Sequence, residues 1–183
     1  MKVIGIVGMP GSGKSEAAEV ARSMDIPVVN MGDVVRKEVS DSGLEIRPET
    51  LRSAMVRIRK RFGRGVIAQR CIPLIRALTS HETVIVDGLR SLAEVKVFRR
   101  QFPNFSTIAI HSSPRTRRER LEGRHRSDDP ATWEEFCERD ELELSIGIGE
   151  VIALADIVVS NEGDQAVFRK EVKNAILRAT KND

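Results

Sequence analysis

Aromatic side chains are scarce in this chain. Tyrosine is absent, Trp133 is the lone tryptophan, and aromatics make up 4% of the residues. Proteins that grip single-stranded nucleic acid commonly do so with rows of stacking rings, and no such platform is offered here. Cysteine is almost as rare. Cys71 and Cys137 lie far apart without C-x-x-C spacing, which predicts two reduced packing thiols. A zinc site needs more ligands than these two supply. No apolar run approaches the roughly 18 residues of a membrane span. The opening "MKVIGIVGMPG" has too short an apolar stretch for a secretory leader and runs straight into a glycine turn. A cytoplasmic protein is expected.

What is present is a chain of 183 residues, 40% hydrophobic and 31% charged, sized for one domain with its own core. The net charge of +3 is modest, but 22 of the 30 basic residues are arginine. Arginine grips phosphate or carboxylate with a planar fork. Many arginines also lie on solvated helix faces, so position has to decide their roles.

Strand and helix patterns alternate. Short β-branched runs at 2–7, 27–29, 83–88, 106–112 and 156–161 read as buried strands, with helical patterns between them. Helices are expected at 16–24, 92–102, 114–123, 130–144 and 164–180. This alternation predicts a five-stranded parallel sheet covered by helices on both faces. The connection 32–80 exceeds a simple crossover and is expected to form an inserted helical subdomain, broken near "DSGLEIRP" and "FGRG". Within it Leu51, Met55, Ile58 and Phe62 form an apolar stripe at helical spacing.

"GMPGSGKS" (8–15) matches G-x-x-x-x-G-K-[ST] between a predicted strand and a predicted helix. The pattern assigns Gly8, Met9, Pro10, Gly11, Ser12, Gly13, Lys14 and Ser15 to nucleotide binding. Amides of the turn point at phosphate oxygens, and the helix start adds its positive dipole end. Lys14 supplies a mobile charge for the outer phosphates. The Ser15 hydroxyl is a ligand for Mg²⁺.

"NMGDVVR" (30–36) places Asp33 and Arg36 on one helix face. Asn30 or Asp33 is equally suited to capping that helix. "VIVDGLRS" (84–91) puts Asp87 at a strand end, with Arg90 just beyond. "SPRTRRERLEGRHRSDDP" (113–130) carries Arg115, Arg117, Arg118, Arg120, Arg124 and Arg126, with Arg117, Arg120 and Arg124 sharing a helix side. Arginines on a hinged segment can neutralise charge developing during phosphoryl transfer. Arg120, Arg124 and Arg126 are assigned that role. Arg115, Arg117 and Arg118 are expected at the surface.

Together these segments resemble adenylate kinase and related nucleoside monophosphate kinases. That resemblance places Arg36 and Arg90 on the acceptor's phosphate, Asp87 on Mg²⁺ through water, and Asp33 near the acceptor. It also matches "RSDD" (126–129) and Arg139 to a lid arginine pattern, implying a short lid at 120–130. The glutamine that reads adenine in that family has Glu94 as its nearest counterpart, and a carboxylate accepts hydrogen bonds without donating them. AMP is therefore not implied as the acceptor. "LADIVVSNEGDQAVF" (154–168) instead resembles dephospho-coenzyme A kinase, placing Asn161, Glu162 and Gly163 near the nucleotide base. The sequence as a whole resembles the archaeal group of adenylate kinase-like and dephospho-coenzyme A kinase-like proteins.

The resemblance implies a P-loop fold with sheet order 2-3-1-4-5 across residues 1–183. It implies an acceptor-binding insertion at 32–80 and Mg²⁺-dependent transfer of the ATP γ-phosphoryl group to a small phosphorylated, nucleotide-like acceptor. Dephospho-coenzyme A kinase-like activity is one alternative. A P-loop ATPase or switch acting on RNA or a protein partner is another.

Overall fold

Five strands form one all-parallel sheet in the order β2-β3-β1-β4-β5. They are β1 (Lys2–Val7), β2 (Val28–Asn30), β3 (Thr83–Asp87), β4 (Phe105–His111) and β5 (Ile157–Ser160). The computed structural model describes residues 1–124 and 129–181. The central strand β1 is buried at every position. It pairs with β3 in the register Ile6 to Asp87 and with β4 in the register Val7 to Ala109. The chain winds outward from β1 in both directions, so its strand order reverses there. A crevice opens at such a point, outside the carboxyl ends of the strands. The turn after β1, Asp87 at the end of β3, Ser112 after β4 and Asn161 after β5 converge on it.

The two sheet faces bury separate clusters. One is covered by α1 (Lys14–Arg22) and α9 (Gln165–Lys181), with Phe168, Val172 and Ile176 against Ile4, Ile6 and Ile108. The other is covered by α4 (Val66–Arg76), α5 (Leu92–Gln101) and the short α8 (Ile148–Ala153). There Phe98 stacks between Phe102 and Phe105, with ring centroids 6.5 and 5.4 Å apart. The long connection after β2 consists of α2 (Met31–Asp41), α3 (Pro48–Phe62) and α4. Val35, Ala54, Met55 and Ile58 join the same apolar cluster as the sheet face, so packing is continuous from the connection to the sheet. The stripe on α3 is buried through Ile58, but Phe62 is half exposed, with the Arg61 and Arg70 guanidinium groups over its ring. Cys71 and Cys137 are both free, and burial pushes the Cys71 thiol up to about 12.

Two helices start away from the expected positions, each because of a cap. α7 (Trp133–Ile146) begins three residues after Pro130, where Thr132 and Glu135 form a reciprocal capping box. α1 begins at Lys14, two residues early, directly after Gly13 in the left-handed conformation. The unexpected α8 follows left-handed Gly147 and buries Ile148 and Val151 on the sheet. Six residues are too few for a periodic signal, and tertiary contact creates this helix.

Glu94 requires a correction. It stands fully buried at the third position of α5, where it forms a capping box with Ser91. Its carboxylate accepts from Arg59 Nη2 at 2.7 Å, from the Arg90 amide at 2.7 Å and from the Ser91 amide at 3.2 Å. Both its oxygens are engaged inside the fold, away from either cavity.

Removing one partner of a buried ion pair leaves the other charge uncompensated, at a cost of about 3–5 kcal/mol. Both Arg59 and Glu94 side chains are nearly inaccessible. Glu94→Ala is therefore expected to lower unfolding free energy by about that amount in urea titration. A loss below about 1 kcal/mol would show that the pair contributes no more than a surface bridge.

Candidate active site

The turn 8–13 is held open by its neighbours. Gly11 and Gly13 have φ of 80° and 105°, a region that side chains avoid. A Cβ on Gly13 would lie 2.2 Å from Asn161 Nδ2, and one on Gly11 would lie 2.7 Å from the Arg117 carbonyl. Neither position has room for a side chain. The Ser12 carbonyl accepts from Asn161 Nδ2 at 2.9 Å and from Ser112 Oγ at 3.3 Å. Lys14 Nζ donates to the carbonyls of Gly8 at 2.7 Å and Met9 at 3.1 Å. The lysine thus closes the turn on itself. Burial lowers its pKa to about 8, while the nearby Asp87 and Glu143 charges act the other way.

A cavity of about 370 Å³ lies over this turn. Gly8, Pro10, Gly11, Gly13, Lys14 and Ser15 line it. Met9 packs toward the core, and Ser12 is fully buried beneath the turn. Asp87 also lines the cavity, and its Oδ1 is buried with no hydrogen-bond partner. Burial raises its pKa, opposed by Lys14, Arg90 and Arg22.

A second cavity of about 420 Å³ opens between α2, α3 and α7. The two cavities share three side chains, Arg90, Arg139 and Glu143. Arg90 Nε donates to Glu143 Oε2 at 2.9 Å. Burial alone would raise the Glu143 pKa, but the charge and hydrogen bond of Arg90, joined by Lys14 and Arg139, hold it below the ordinary value. Glu143 and Arg90 reciprocally favour their charged forms, and the Arg90 pKa is raised despite its burial. Sequence reading missed Glu143. The available signal was its i+4 spacing from Arg139 on one helix face.

Arg36 lines the second cavity. Asp33 lines neither. It is exposed, accepts from Arg36 Nε at 3.0 Å, and leaves capping of α2 to Asn30, whose Oδ1 accepts from the Gly32 amide at 2.7 Å. Asn161 is buried and locks the turn in place of facing open space, whereas Gly163 has nothing near it. Glu162 accepts from Thr116 Oγ1 at 2.6 Å and from the Ser113 amide, fixing the entry to α6 (Pro114–Arg124). These hydrogen bonds hold its carboxyl below the ordinary range.

The arginines of α6 divide sharply. Arg120 and Arg124 line the first cavity. Arg120 Nη1 donates to Ser112 Oγ at 2.9 Å, and its Nη2 donates to the Asn161 carbonyl at 2.9 Å. Arg124 Nε donates to Asp129 Oδ2 at 2.7 Å, and Arg139 lies 3.5 Å from the same carboxylate. Arg126 lies outside the described residues, as do its neighbours at 125, 127 and 128. Arg115 is exposed beside Glu119. Arg118 is covered by Glu122 and the Ala131 carbonyl, so it too is less exposed than expected.

Arg117 overturns its expected surface position. It is 3% exposed and lies over the Phe136 ring at 4.9 Å. Its fork spans the Asp140 carboxylate, with Nη1 at 2.8 Å from Oδ1, and Nη1 also donates to the Pro10 carbonyl at 3.2 Å. The physical reason is α6 packing beneath the turn. The face shared with Arg120 and Arg124 points inward, and Arg117 is the member nearest the turn's own backbone.

Arg117→Met keeps the stem but strands the Asp140 carboxylate. Its expected cost is about 3 kcal/mol or more in urea unfolding. A double-mutant cycle with Asp140→Asn should return a coupling of about 0.5–3 kcal/mol. Coupling near zero would show that the fork and carboxylate do not act as a pair.

Comparison with known proteins agrees with this architecture. A family model described as "AAA domain" matches residues 7–137. A UPF0200 protein of Methanocaldococcus jannaschii is 52% identical over 163 residues, covering 88% of this chain and 82% of that protein. Among solved structures, a dephospho-CoA kinase from Campylobacter jejuni superposes with a TM-score of 0.62 at 16% identity, covering 99% of this chain and 98% of that one. A shikimate kinase from Acinetobacter baumannii in complex with shikimate does so with a TM-score of 0.58 at 13% identity, covering 100% and 96%. The fold is thus that of the P-loop kinases, and the chain belongs to the UPF0200 family of archaeal proteins.

Proposed function

We propose that the protein is an ATP- and Mg²⁺-dependent phosphotransferase that moves the γ-phosphoryl group to a phosphate of a small, nucleotide-like acceptor. The observation carrying this reading is the shared wall. Arg90, Arg139 and Glu143 border both the cavity over the glycine turn and the cavity beside α2 and α3. An ATPase or switch has no need of a second cationic cavity opening on its triphosphate.

In this reading the backbone N–H groups of the turn, to which Pro10 contributes none, and Lys14 hold the donor phosphates. Lys14 exchanges its bonds to the Gly8 and Met9 carbonyls for phosphate oxygens. Asp87 and Ser15 fit a hard divalent cation, because one buried Asp87 oxygen lacks a partner and the Ser15 hydroxyl lines the same cavity. When bound, Mg²⁺ would supply positive charge that neutralises the donor phosphates. Arg36 and Arg90 orient the acceptor, with Arg139 between the two sites. Arg120 and Arg124 face the transferring group, with Arg126 assigned from the sequence pattern, and they counter its developing charge.

The bond from γ-phosphorus to the β,γ-bridging oxygen breaks as the bond to the acceptor oxygen forms, and ADP leaves. Among the described residues, the carboxylates lining the cavities are Glu16, Asp87 and Glu143. Glu143 is held charged by Arg90, and Asp87 is given to the metal. An acceptor phosphate oxygen is already deprotonated, so it needs no general base. That chemistry suits this set better than an acceptor hydroxyl, and it leaves Asp33 to orient Arg36.

A phosphoacceptor screen with Mg-ATP, using ATP hydrolysis alone as control, tests the reading. Arg36→Ala is expected to raise acceptor KM about tenfold or more, with ATP affinity kept within about twofold. Asp87→Asn should lower turnover about 100-fold at equal Mg²⁺. ATP turnover that no phosphorylated acceptor stimulates, and that Arg36→Ala leaves untouched, would point to a nucleotide switch.

A further inference from the structure

The second cavity has an unusual lining. Five arginines border it, Arg36, Arg47, Arg52, Arg90 and Arg139, around an apolar middle that includes Val35, Leu51, Met55 and Leu142. Four of these arginines fall into two groups by place, and the fifth, Arg36, stands on α2. Arg90 and Arg139 also border the donor cavity. Arg47 borders the second cavity alone, while Arg52 also borders two outer grooves, one of them shared with Arg139. The cavity therefore has cationic side chains both on its donor side and at the start of α3, with apolar side chains in the same lining.

The cationic group at the start of α3 is poised to take an anion. Arg47 pairs with Glu45, but both side chains are largely exposed. Such a pair contributes about 0–1 kcal/mol and exchanges readily for phosphate. Arg52 has no carboxylate within ion-pair distance among the described residues. The start of α3, a helix of fifteen residues, adds its positive dipole end, although Pro48 there offers no N–H.

Uncharged polar side chains able to read a nucleobase are missing from the described lining. No Asn, Gln, Ser or Thr side chain borders the cavity. Arginine only donates hydrogen bonds. The one carboxylate there, Glu143, is occupied by Arg90. Base edges present donors and acceptors together, and apart from Glu143 no side chain of the described lining can answer the donors.

We infer that the acceptor carries two separated anionic groups and is recognised by them, not by a base. The reacting phosphate sits at Arg90 and Arg139, and the second phosphate sits at Arg47 and Arg52. This rests on the two-cavity reading of the site and narrows its substrate class to small bisphosphorylated molecules.

Titration calorimetry on the full chain at about 0.15 M salt, which screens non-specific attraction, tests it with five probes. These are AMP, GMP, CMP, adenosine 3′,5′-bisphosphate and ribose 1,5-bisphosphate. Each bisphosphate should bind about tenfold or more tightly than AMP, and the three monophosphates should agree within about threefold. In the Arg47→Ala, Arg52→Ala double variant, checked for folding by circular dichroism, the bisphosphate advantage should shrink to about twofold or less. Equal binding of AMP and both bisphosphates overturns the inference. So does an advantage that survives the double variant, or strong discrimination among the three monophosphates. Those outcomes leave the two-cavity reading standing. If Arg36→Ala leaves the binding of every probe unchanged, or if no probe binds, that reading falls as well.

Discussion

One guanidinium ties the two halves of the site together. Arg90 is gripped at its side chain by Glu143 on α7 and at its backbone amide by Glu94 on α5. Glu94 in turn anchors Arg59 on α3. Through these two carboxylates the strand end at Asp87, the helix α5, the helix α3 and the helix α7 are fixed relative to one another. Desolvating so many charges would be costly if any were unmatched. Matching them gives Arg90 a set position on the boundary between the cavities, and the proposed phosphoryl transfer would need such geometry more than covalent chemistry.

A second set of polar contacts does similar work beneath the donor cavity. Arg117 holds the Pro10 carbonyl, Asn161 holds the Ser12 carbonyl, and Lys14 holds the carbonyls of Gly8 and Met9. With its carbonyls engaged, the turn keeps a set shape and is pre-organised for an anion. Three elements distant in sequence, α1, α6 and the end of β5, thus converge on six residues of backbone. The arginine content has a structural share as well as a chemical one. Arg59 and Arg117 are spent inside the fold, while Arg36, Arg52, Arg120, Arg124 and Arg139 border open space.

Much of the fold was legible because buried parallel strands and long helices leave periodic, local signatures. The strand runs, their alternation with helices and the glycine turn can all be read from neighbouring residues. The order 2-3-1-4-5 came from family resemblance, and the structure has that order. The boundaries of α1 and α7 were less legible, because caps decide them. Thr132 and Glu135 compete with Pro130 for the start of α7, and a capping box satisfies two backbone amides where proline satisfies none.

Roles of charged residues divide along the same line. The sequence by itself determined that a glycine-rich turn of the phosphate-loop pattern follows β1, because glycine, lysine and serine at that spacing act through local backbone geometry. It also marked Arg36, Arg90 and Arg139 as worth placing. Only the tertiary structure decided that Glu94 is an internal cap, that Arg117 lies under the turn, and that Glu143 meets Arg90 across 53 positions of sequence. Whether a charge faces solvent, a cavity or another charge depends on what packs over it. That partner comes from a distant part of the chain, so no local pattern reports it.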